Sequence, residues 1–200
     1  MPATQRLGIF GGAFDPPHLA HAALAQAAVD QLDLDELRIF PTGLAWHKAQ
    51  ALTPPEHRLA LARIAFGHLP RTVIDDRELR RPGPTYTIDT LRELKAEQPS
   101  AQLFLVMGED QATSLTRWRE WEAIIQLAII CVAARPLGAQ PTEVAPGLPA
   151  QAELRLLSLP AMAESATQVR GRVARREDIA HLVAPGVASY IERHNLYRIP

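Results

Sequence analysis

The sequence predicts an α/β fold, in which helices cover both faces of a parallel sheet. Short apolar runs alternate along the chain with longer segments of helical periodicity, and parallel strands need crossover connections of that length. Two of the runs, Leu103–Met107 and Ile129–Ala133, lack the alternating polar residues of a half-exposed strand, which is typical of strands buried on both faces. We expect the 200 residues to form a single domain over positions 1–200.

The expected strands are short and apolar, and helices separate them. In chain order they are Arg6–Phe10, Leu37–Phe40, Thr72–Ile74, Leu103–Met107, Ile129–Ala133 and Leu154–Leu159. The expected helices run from about His18 to Leu32, from Pro54–Glu56 onward, through Ile88, Leu91 and Leu94, through Trp118 and Trp121 to about Ile125, and over Ala166–Arg176 and Val187–His194. The segment 135–149, with four prolines and two glycines, is expected to be a surface loop.

The composition excludes several classes of protein. The formal net charge is −1, so no overall field favours nucleic acid or an anionic membrane. No run of about 18 apolar residues predicts a membrane span, and the N-terminus does not resemble a secretory signal. Cys131, the one cysteine, lies in an apolar run and is expected to be a small buried hydrophobe. We therefore expect a soluble, cytoplasmic protein, in which a few local cations could still hold a small anionic ligand.

The segment Gly11–His21, with the sequence GGAFDPPHLAH, lies between the first expected strand and the first expected helix. This is a place where α/β sheets bind nucleotides. Gly11 and Gly12 let the backbone approach a ligand without a clash from Cβ, and the free N–H groups at the helix start favour an anion. His18 is therefore expected beside a bound phosphate, and His21, three residues further on, shares its helical face.

Other kinds of site fit this segment less well. A zinc site would need more ligands, but the chain has one cysteine and no His-Glu-x-x-His pattern. A dinucleotide-binding loop would need Gly-x-Gly-x-x-Gly, and from Gly8 the chain has Phe10 and Ala13 at the other two positions. A Walker loop would need Gly-Lys-Ser/Thr, which the sequence lacks. Taken alone, a Gly-Gly pair is also typical of a turn, and two histidines at this spacing are typical of a surface.

As a whole, the segment resembles the Gly-Gly-x-Phe-Asp-Pro-x-His-x-Gly-His signature of the nucleotidylyltransferase superfamily, most closely that of bacterial nicotinate-nucleotide adenylyltransferases. Ala20 replaces the last glycine, and we expect little effect because alanine is small and favours helix. The resemblance implies a Rossmann-like sheet of the nucleotidyltransferase type with a small helical C-terminal extension. It also implies transfer of the adenylyl group of ATP to nicotinate mononucleotide in NAD biosynthesis, with Mg²⁺ bound mainly through ATP phosphates.

A second segment resembles the basic loop of that family and the helix after it. Here the chain has Trp46-His47-Lys48, followed by His57 and Arg58. The resemblance implies that Lys48 reaches the ATP phosphates, and the alternative is a solvated loop lysine. For Arg58 the alternative is a residue that caps or bridges helices.

A third segment, Ser165–Arg170, resembles the family motif Ile-Ser-Ser/Ala-Thr-x-Ile-Arg. Ser165 is expected to be the N-cap of a helix, and Thr167 and Arg170 lie three apart on one helical face. The resemblance implies that the hydroxyls and the guanidinium hold the β- and γ-phosphates, for which the forked geometry of arginine is suited. Glu164 replaces an apolar residue just before the motif, a change that bears on packing more than on chemistry.

The segment Thr85–Leu91 resembles the family sequence Ser-Tyr-Thr-x-Asp-Thr-Leu. By themselves, Thr87 and Asp89 are typical of helix caps, whereas the resemblance implies that this loop and helix start hold the pyridine nucleotide. No lysine or arginine adjoins 85–87 in the sequence. We therefore expect backbone and hydroxyl donors, rather than a salt bridge, to bind the carboxylate of nicotinate.

Two further matches concern the acceptor. Leu105–Asp110 resembles the strand-end Gly-x-Asp of the family, which implies that Asp110 accepts hydrogen bonds from a ribose. Trp118 and Trp121 match the tryptophan region of the family, which implies that Trp118 stacks on the pyridine. Two tryptophans three apart on a helix are otherwise more typical of a core.

The residues implied by the resemblance form three groups. The catalytic group is His18, His21, Lys48 and Arg170. The ATP-binding group is Gly11, Gly12, Ala13, Phe14, His18, His21, Gly108, Ser165, Thr167 and Arg170. The acceptor-binding group is Asp110, Thr85, Tyr86, Thr87 and Trp118, and no protein ligand for a metal is implied.

Two alternatives to this function stay open. Phosphopantetheine or nicotinamide mononucleotide could be the acceptor, although the Thr85–Thr87 segment and the Trp118 region argue against phosphopantetheine. The chain could also be a non-catalytic nucleotide sensor that kept the fold. The presence of both signature histidines, Lys48 and Arg170 argues against a sensor.

Overall fold

A computed structural model describes residues 4–44, 52–134 and 151–198 of the chain. Within these ranges, six strands form one parallel sheet of order β3-β2-β1-β4-β5-β6. The strands are β1 Arg6–Gly12, β2 Glu36–Pro41, β3 Thr72–Ile74, β4 Gln102–Met107, β5 Ala128–Ala134 and β6 Leu154–Ser158. The predicted parallel α/β sheet is confirmed, and every predicted strand end lies within two residues of the observed one.

The helices run between these strands and after the last one. They are α1 Leu19–Gln31, α2 Pro55–Phe66, α3 Arg77–Arg80, α4 Thr87–Glu97, α5 Glu109–Thr113, α6 Trp121–Leu127, α7 Ala166–Ala174 and α8 Pro185–Arg193, with a 3-10 turn at Leu115–Arg117. The short helices α3 and α5 were not expected from the sequence. Each has too few residues for an apolar periodicity to be recognised.

The prediction of one helix through Trp118 and Trp121 is wrong. Trp118 has an extended backbone, and Glu120 is left-handed, with φ 52°. A new helix, α6, begins at Trp121. The guanidinium of Arg92 on α4 lies 2.6 Å from the Glu120 carboxylate. The turn is thus supported by a residue from another helix, which the local sequence pattern does not include.

Two hydrophobic cores lie on opposite faces of the sheet. Neighbouring residues of β4 alternate between them, with Phe104 in one core and Leu105 in the other. The C-terminal helices join the first core, where Val169 of α7 and Val187 of α8 are fully buried. Cys131 is buried in β5, and burial raises the pKa of its thiol to about 12. This confirms the expectation of a small core residue.

The strand order changes direction between β1 and β4. From β1 the chain moves outward to β2 and β3, then crosses to β4 on the other side of β1. Such a reversal leaves a crevice at the carboxyl ends of the two strands, and ligands bind there in open α/β sheets. Among the described residues, no helix is long and apolar enough to cross a membrane. The cytoplasmic location stays a prediction.

Candidate active site

A cleft of about 1050 Å³ opens at the carboxyl ends of β1 and β4. Its histidine end is formed by Gly11–His21 and Glu164–Arg170, and its tryptophan end by Thr85–Thr87, Gly108–Asp110 and Trp118. The volume is at the upper limit of ordinary small-molecule sites. All of the site residues named from the sequence line this cleft, with one exception. Lys48 falls outside the described residues.

The loop after β1 is anchored by Arg58, which is 2% exposed. Its guanidinium donates hydrogen bonds to the carbonyl oxygens of Ala13, Thr42 and Thr53, at 3.1, 2.6 and 2.9 Å. A buried guanidinium is stable when its donors are satisfied in this way. Arg58 therefore bridges three segments of backbone. This structural role is similar to the alternative stated from the sequence, in which Arg58 caps or bridges helices.

Asp15 links the same loop to the C-terminal part of the chain. One carboxylate oxygen accepts a hydrogen bond from the backbone N–H of Thr53 at 3.1 Å, and the other accepts one from the Tyr197 hydroxyl at 2.7 Å. The carbonyl oxygen of Asp15 accepts a hydrogen bond from Arg170 at 2.8 Å. Asp15 belongs to the signature segment, but the sequence indicated no role for it. The contact with Tyr197 spans 182 positions, so no local pattern could have shown it.

Phe14 supports the histidine end from within the core. Its backbone is left-handed, with φ 47°, a conformation uncommon for a residue that carries a side chain. Its ring packs edge-on against Phe66 and His21, with centroids 5.1 and 5.2 Å apart. A Cβ on Gly12 would lie 2.8 Å from this ring, whereas beside Gly11 the space is open. Glycine is therefore required at position 12 by the packing of the Phe14 ring. At Gly11 the open space fits the predicted close approach of a ligand.

His18 and His21 lie together at the start of α1, as their spacing predicts. Their ring centroids are 3.7 Å apart, and the backbone N–H of His18 donates a hydrogen bond to Nδ1 of His21 at 3.3 Å. Because Nδ1 of His21 accepts, the neutral ring carries its proton on Nε2. Burial lowers the pKa of His18 to about 4, an effect that the charge of Glu164 partly offsets. Without a bound anion, His18 is thus neutral at pH 7.

The start of α7 forms the other side of the histidine end. The Ser165 hydroxyl accepts a hydrogen bond from the backbone N–H of Gln168 at 3.2 Å, which confirms the predicted N-cap. Arg170 donates to Thr167 Oγ1 at 3.3 Å as well as to Asp15. The guanidinium is therefore fixed on two sides, and its remaining N–H groups can bind an anion at the helix N-terminus.

At the tryptophan end, the residue before α4 is Tyr86. Neither Thr87 nor Asp89 is the N-cap of this helix, so the capping alternative does not explain them. Thr85 is buried, and its hydroxyl has no hydrogen-bond partner within residues 4–44, 52–134 and 151–198. Thr85 also lines the cleft.

A cation lies beside this loop in the fold, although no lysine or arginine adjoins 85–87 in the sequence. The guanidinium carbon of Arg119 lies 4.6 Å from the centre of the Tyr86 ring, a distance typical of a cation–π contact. The chain brings Arg119 there because it follows Trp118 in the turn before α6. Trp118 is half-buried and Asp110 is exposed in the first turn of α5. In the sequence, the one signal for a role of Arg119 in the cleft is its position next to Trp118.

Glu78 is a cleft residue that the sequence did not reveal. It is buried, and its carboxylate accepts a hydrogen bond from the Thr90 hydroxyl at 2.7 Å. Burial raises the pKa of Glu78 to about 7. It belongs to α3, which has only four residues. The local pattern therefore gives no signal that would separate it from a surface acid.

The sequence comparisons cover most of the chain. A sequence model of the cytidylyltransferase-like family matches residues 9–172. The chain is 51% identical over 202 residues to the probable nicotinate-nucleotide adenylyltransferase of Albidiferax ferrireducens, covering 97% of this chain and 98% of the relative. It is 43% identical to the probable nicotinate-nucleotide adenylyltransferase of Bordetella petrii, covering 97% of this chain and 100% of the relative.

The structural comparisons concern the fold. The chain is similar to Plasmodium falciparum nicotinic acid mononucleotide adenylyltransferase complexed with NaAD, with a TM-score of 0.78 and 20% identity, covering 96% of this chain and 97% of that chain. The same Plasmodium protein complexed with APC gives a TM-score of 0.76 at 19% identity, with the same shares covered. At this level of identity the similarity shows a shared fold.

Proposed function

The chain belongs to the cytidylyltransferase-like family and, within it, to the nicotinate-nucleotide adenylyltransferases; from this premise we propose that it transfers the adenylyl group of ATP to nicotinate mononucleotide. The products are nicotinate adenine dinucleotide and pyrophosphate. The observation that carries the proposal is the cleft itself. It has paired histidines and a fixed arginine at one end, and a half-buried tryptophan beside a helix N-terminus at the other.

ATP occupies the histidine end in this proposal. The β- and γ-phosphates bind at the N-terminus of α7, where Ser165, Thr167 and Arg170 offer hydroxyls and N–H groups. The α-phosphate then faces His18 and His21, which line the same cleft at the start of α1. Two helix N-termini thus converge on the triphosphate, and both favour negative charge.

The nucleophile is the 5′-phosphate of nicotinate mononucleotide. A phosphate monoester has its second pKa near ~6 and is largely ionised at neutral pH, so no general base is needed. One of its oxygens forms a bond to the α-phosphorus in line with the bond to pyrophosphate, which breaks. The residues contribute position and positive charge in a loose transition state. Lys48 is proposed to add charge beside the phosphates.

Mg²⁺ is the proposed metal. Among the described residues, no cluster of three His, Cys, Asp or Glu side chains could hold a metal ion. Mg²⁺ commonly depends on substrate phosphates and water, with few protein ligands, so in this proposal ATP oxygens supply most of its ligands. When bound, the ion neutralises charge on the ATP oxygens.

The nicotinate ring occupies the tryptophan end, stacked on Trp118, while Asp110 accepts hydrogen bonds from the ribose. The carboxylate lies toward Thr85–Thr87, where the N-terminus of α4 favours an anion. Arg119 adds a positive charge at this end. An amide in the same position would turn its own N–H₂ toward these donors and leave them unpaired, at about 1–3 kcal/mol each.

The test measures pyrophosphate release from ATP with nicotinate mononucleotide, nicotinamide mononucleotide and phosphopantetheine, each offered separately. We expect kcat/KM for the nicotinate form to exceed that for the nicotinamide form by roughly tenfold to a thousandfold. Phosphopantetheine should give no release above the rate without acceptor. Equal values for the two pyridine nucleotides would contradict the proposed reading of the carboxylate. No release with any acceptor would favour the nucleotide sensor.

A further inference from the structure

The turn that carries Trp118 and Arg119 is tied to α4 by a chain of charged side chains. The carboxylate of Glu120 accepts two hydrogen bonds from the guanidinium of Arg92, at 2.6 and 3.4 Å. The same carboxylate lies 3.7 Å from Nε of Arg119, and the Arg119 guanidinium lies over the ring of Tyr86. This chain of contacts begins on α4 and returns to the residue before α4, with Glu120 at its centre.

These contacts connect two segments of the tryptophan end. Tyr86, Trp118 and Arg119 line the cleft, whereas Arg92 and Glu120 do not. Helices α4 and α6 contribute to the same hydrophobic core, so the ion pair joins two elements that already pack together. Arg92 and Glu120 can therefore act on a ligand through the segments that they hold, without touching it.

The backbone of Glu120 needs an explanation. Its φ of 52° is left-handed, which is uncommon for a residue that carries a side chain, and glycine would adopt it without a steric cost. The ion pair is exposed, with 51% of the Arg92 side chain and 41% of the Glu120 side chain accessible. Pairs as exposed as this one contribute little to stability. A strained residue beside a binding cleft is better explained by what it positions there.

We propose that Glu120 is a positioning residue of the acceptor site, and that its carboxylate, held by Arg92, orients Trp118 and Arg119 toward the nicotinate ring. The inference rests on the proposed function for the identity of that ring. The ion pair itself is a feature of the fold. Without Glu120, the Arg119 side chain would keep its charge but gain conformational freedom, and ordering it again on binding would lower the affinity for the acceptor.

The sign of the effect separates positioning from charge. Glu120→Gln removes a negative charge near the anionic acceptor, so an effect of charge alone would lower KM for nicotinate mononucleotide. Arg92→Gln removes a positive charge, so charge alone would raise it. If the pair acts by holding the turn, both substitutions raise KM. The nicotinamide form should be affected less, because a displaced guanidinium loses more attraction to a carboxylate than to a neutral amide.

The experiment measures kcat and KM for ATP and for both pyridine nucleotides in the parent, Glu120→Gln and Arg92→Gln. Each substitution should raise KM for nicotinate mononucleotide by about two- to fivefold, the size expected of one exposed pair, with kcat and KM for ATP unchanged. The double substitution should raise it no further, because either single change already breaks the pair. Arg92→Lys should recover part of the loss, since an ammonium keeps the charge but not the two parallel hydrogen bonds.

Glu177→Gln is the matched control. Glu177 accepts two hydrogen bonds from Arg175, at 2.6 and 3.2 Å, and lies 3.8 Å from the guanidinium of Arg172, so its contacts are like those of Glu120. Its side chain is also 41% exposed, and none of these three residues lines the cleft. The substitution should leave KM for both pyridine nucleotides unchanged.

Two results would overturn the proposal. One is a parent value of KM for nicotinate mononucleotide in both single variants. The other is a lower KM in Glu120→Gln together with a higher KM in Arg92→Gln, which would show an effect of charge alone. If the parent releases no pyrophosphate with nicotinate mononucleotide, the proposed function fails. A double-mutant cycle on urea unfolding then still decides whether Arg92 and Glu120 interact.

Discussion

At the histidine end of the cleft, the loop after β1 is held by buried Arg58 and by Asp15, whose partners come from distant parts of the chain. At the tryptophan end, Trp118 is half-buried, and Arg119 and Asp110 are exposed. The first end presents its polar groups in fixed positions, and the second presents rings and a helix N-terminus. A fixed polar environment lowers the barrier of a reaction, whereas rings and backbone donors select a ligand.

The difference predicts that substitutions at the two ends change different kinetic constants. A residue at the histidine end acts mainly in the transition state, so its removal lowers kcat. A residue at the tryptophan end contributes binding that is already present in the ground state, so its removal raises KM for the acceptor. Two substitutions test this contrast and a third tests the support of the histidine end, taken from the largest expected effect to the smallest.

His18→Ala should have the largest effect. It removes the donor that we propose beside the α-phosphate, and the loss of one such preorganised donor lowers kcat by about 10²–10³. The ring is only partly buried, so circular dichroism and the melting temperature should stay close to the parent values. Steady-state kinetics with both substrates varied give the comparison.

His181→Ala is the matched control for this substitution. His181 is exposed and pairs with Asp178 away from the cleft, so kcat should not change. If His18→Ala turned over at nearly the parent rate, the histidine end would not be where the charge of the transition state is stabilised.

Trp118→Ala should raise KM for nicotinate mononucleotide by about tenfold, since stacking of a base on an aromatic ring contributes about 1–3 kcal/mol. The change in kcat should be much smaller. Trp121→Ala is the matched control because Trp121 begins α6 and does not line the cleft. A loss confined to kcat in Trp118→Ala, or equal effects of the two substitutions, would contradict the division between the two ends.

The sequence predicted the regular part of this molecule well. The strands, the position of the cleft after β1 and the cap at Ser165 follow from short-range patterns that any chain with these residues would show. What it could not predict depends on contacts between distant segments. Arg119 approaches Tyr86 only because the chain turns at Glu120, and Arg58 was ambiguous until its three carbonyl partners were known.

The residues that hold the histidine end were missed for the same reason. Asp15 meets Tyr197 across 182 positions and Arg170 across 155. No periodicity or motif spacing in one sequence connects such residues. The motif at Gly11–His21 locates the site. The contacts that hold the motif in place come from distant segments and exist only in the folded chain.

Tyr197→Phe tests this support and should have the smallest effect on catalysis. The hydroxyl donates to Asp15 at 2.7 Å, and burial together with the charge of Asp15 raises the pKa of Tyr197. The hydroxyl therefore keeps its proton and remains a donor over the whole range in which the enzyme is assayed. Its removal leaves one buried carboxylate oxygen without a donor, which lowers the free energy of unfolding by about 1–3 kcal/mol. For a chain of this size, each 1 kcal/mol lowers the melting temperature by about 2–4 °C.

The catalytic consequence of Tyr197→Phe should pass through Arg170. Because the carbonyl oxygen of Asp15 accepts a hydrogen bond from Arg170, a looser Asp15 holds the guanidinium less firmly, and KM for ATP should rise by a few-fold, or about 1 kcal/mol at most. Tyr190→Phe is the matched control, since it loses a hydroxyl bonded to His57 at 3.0 Å, and neither residue lines the cleft. It should lower stability without changing KM for ATP. If both substitutions lowered stability and neither changed KM for ATP, Asp15 would stabilise the fold without positioning Arg170. The geometry of the histidine end would then not depend on the contact between Asp15 and Tyr197.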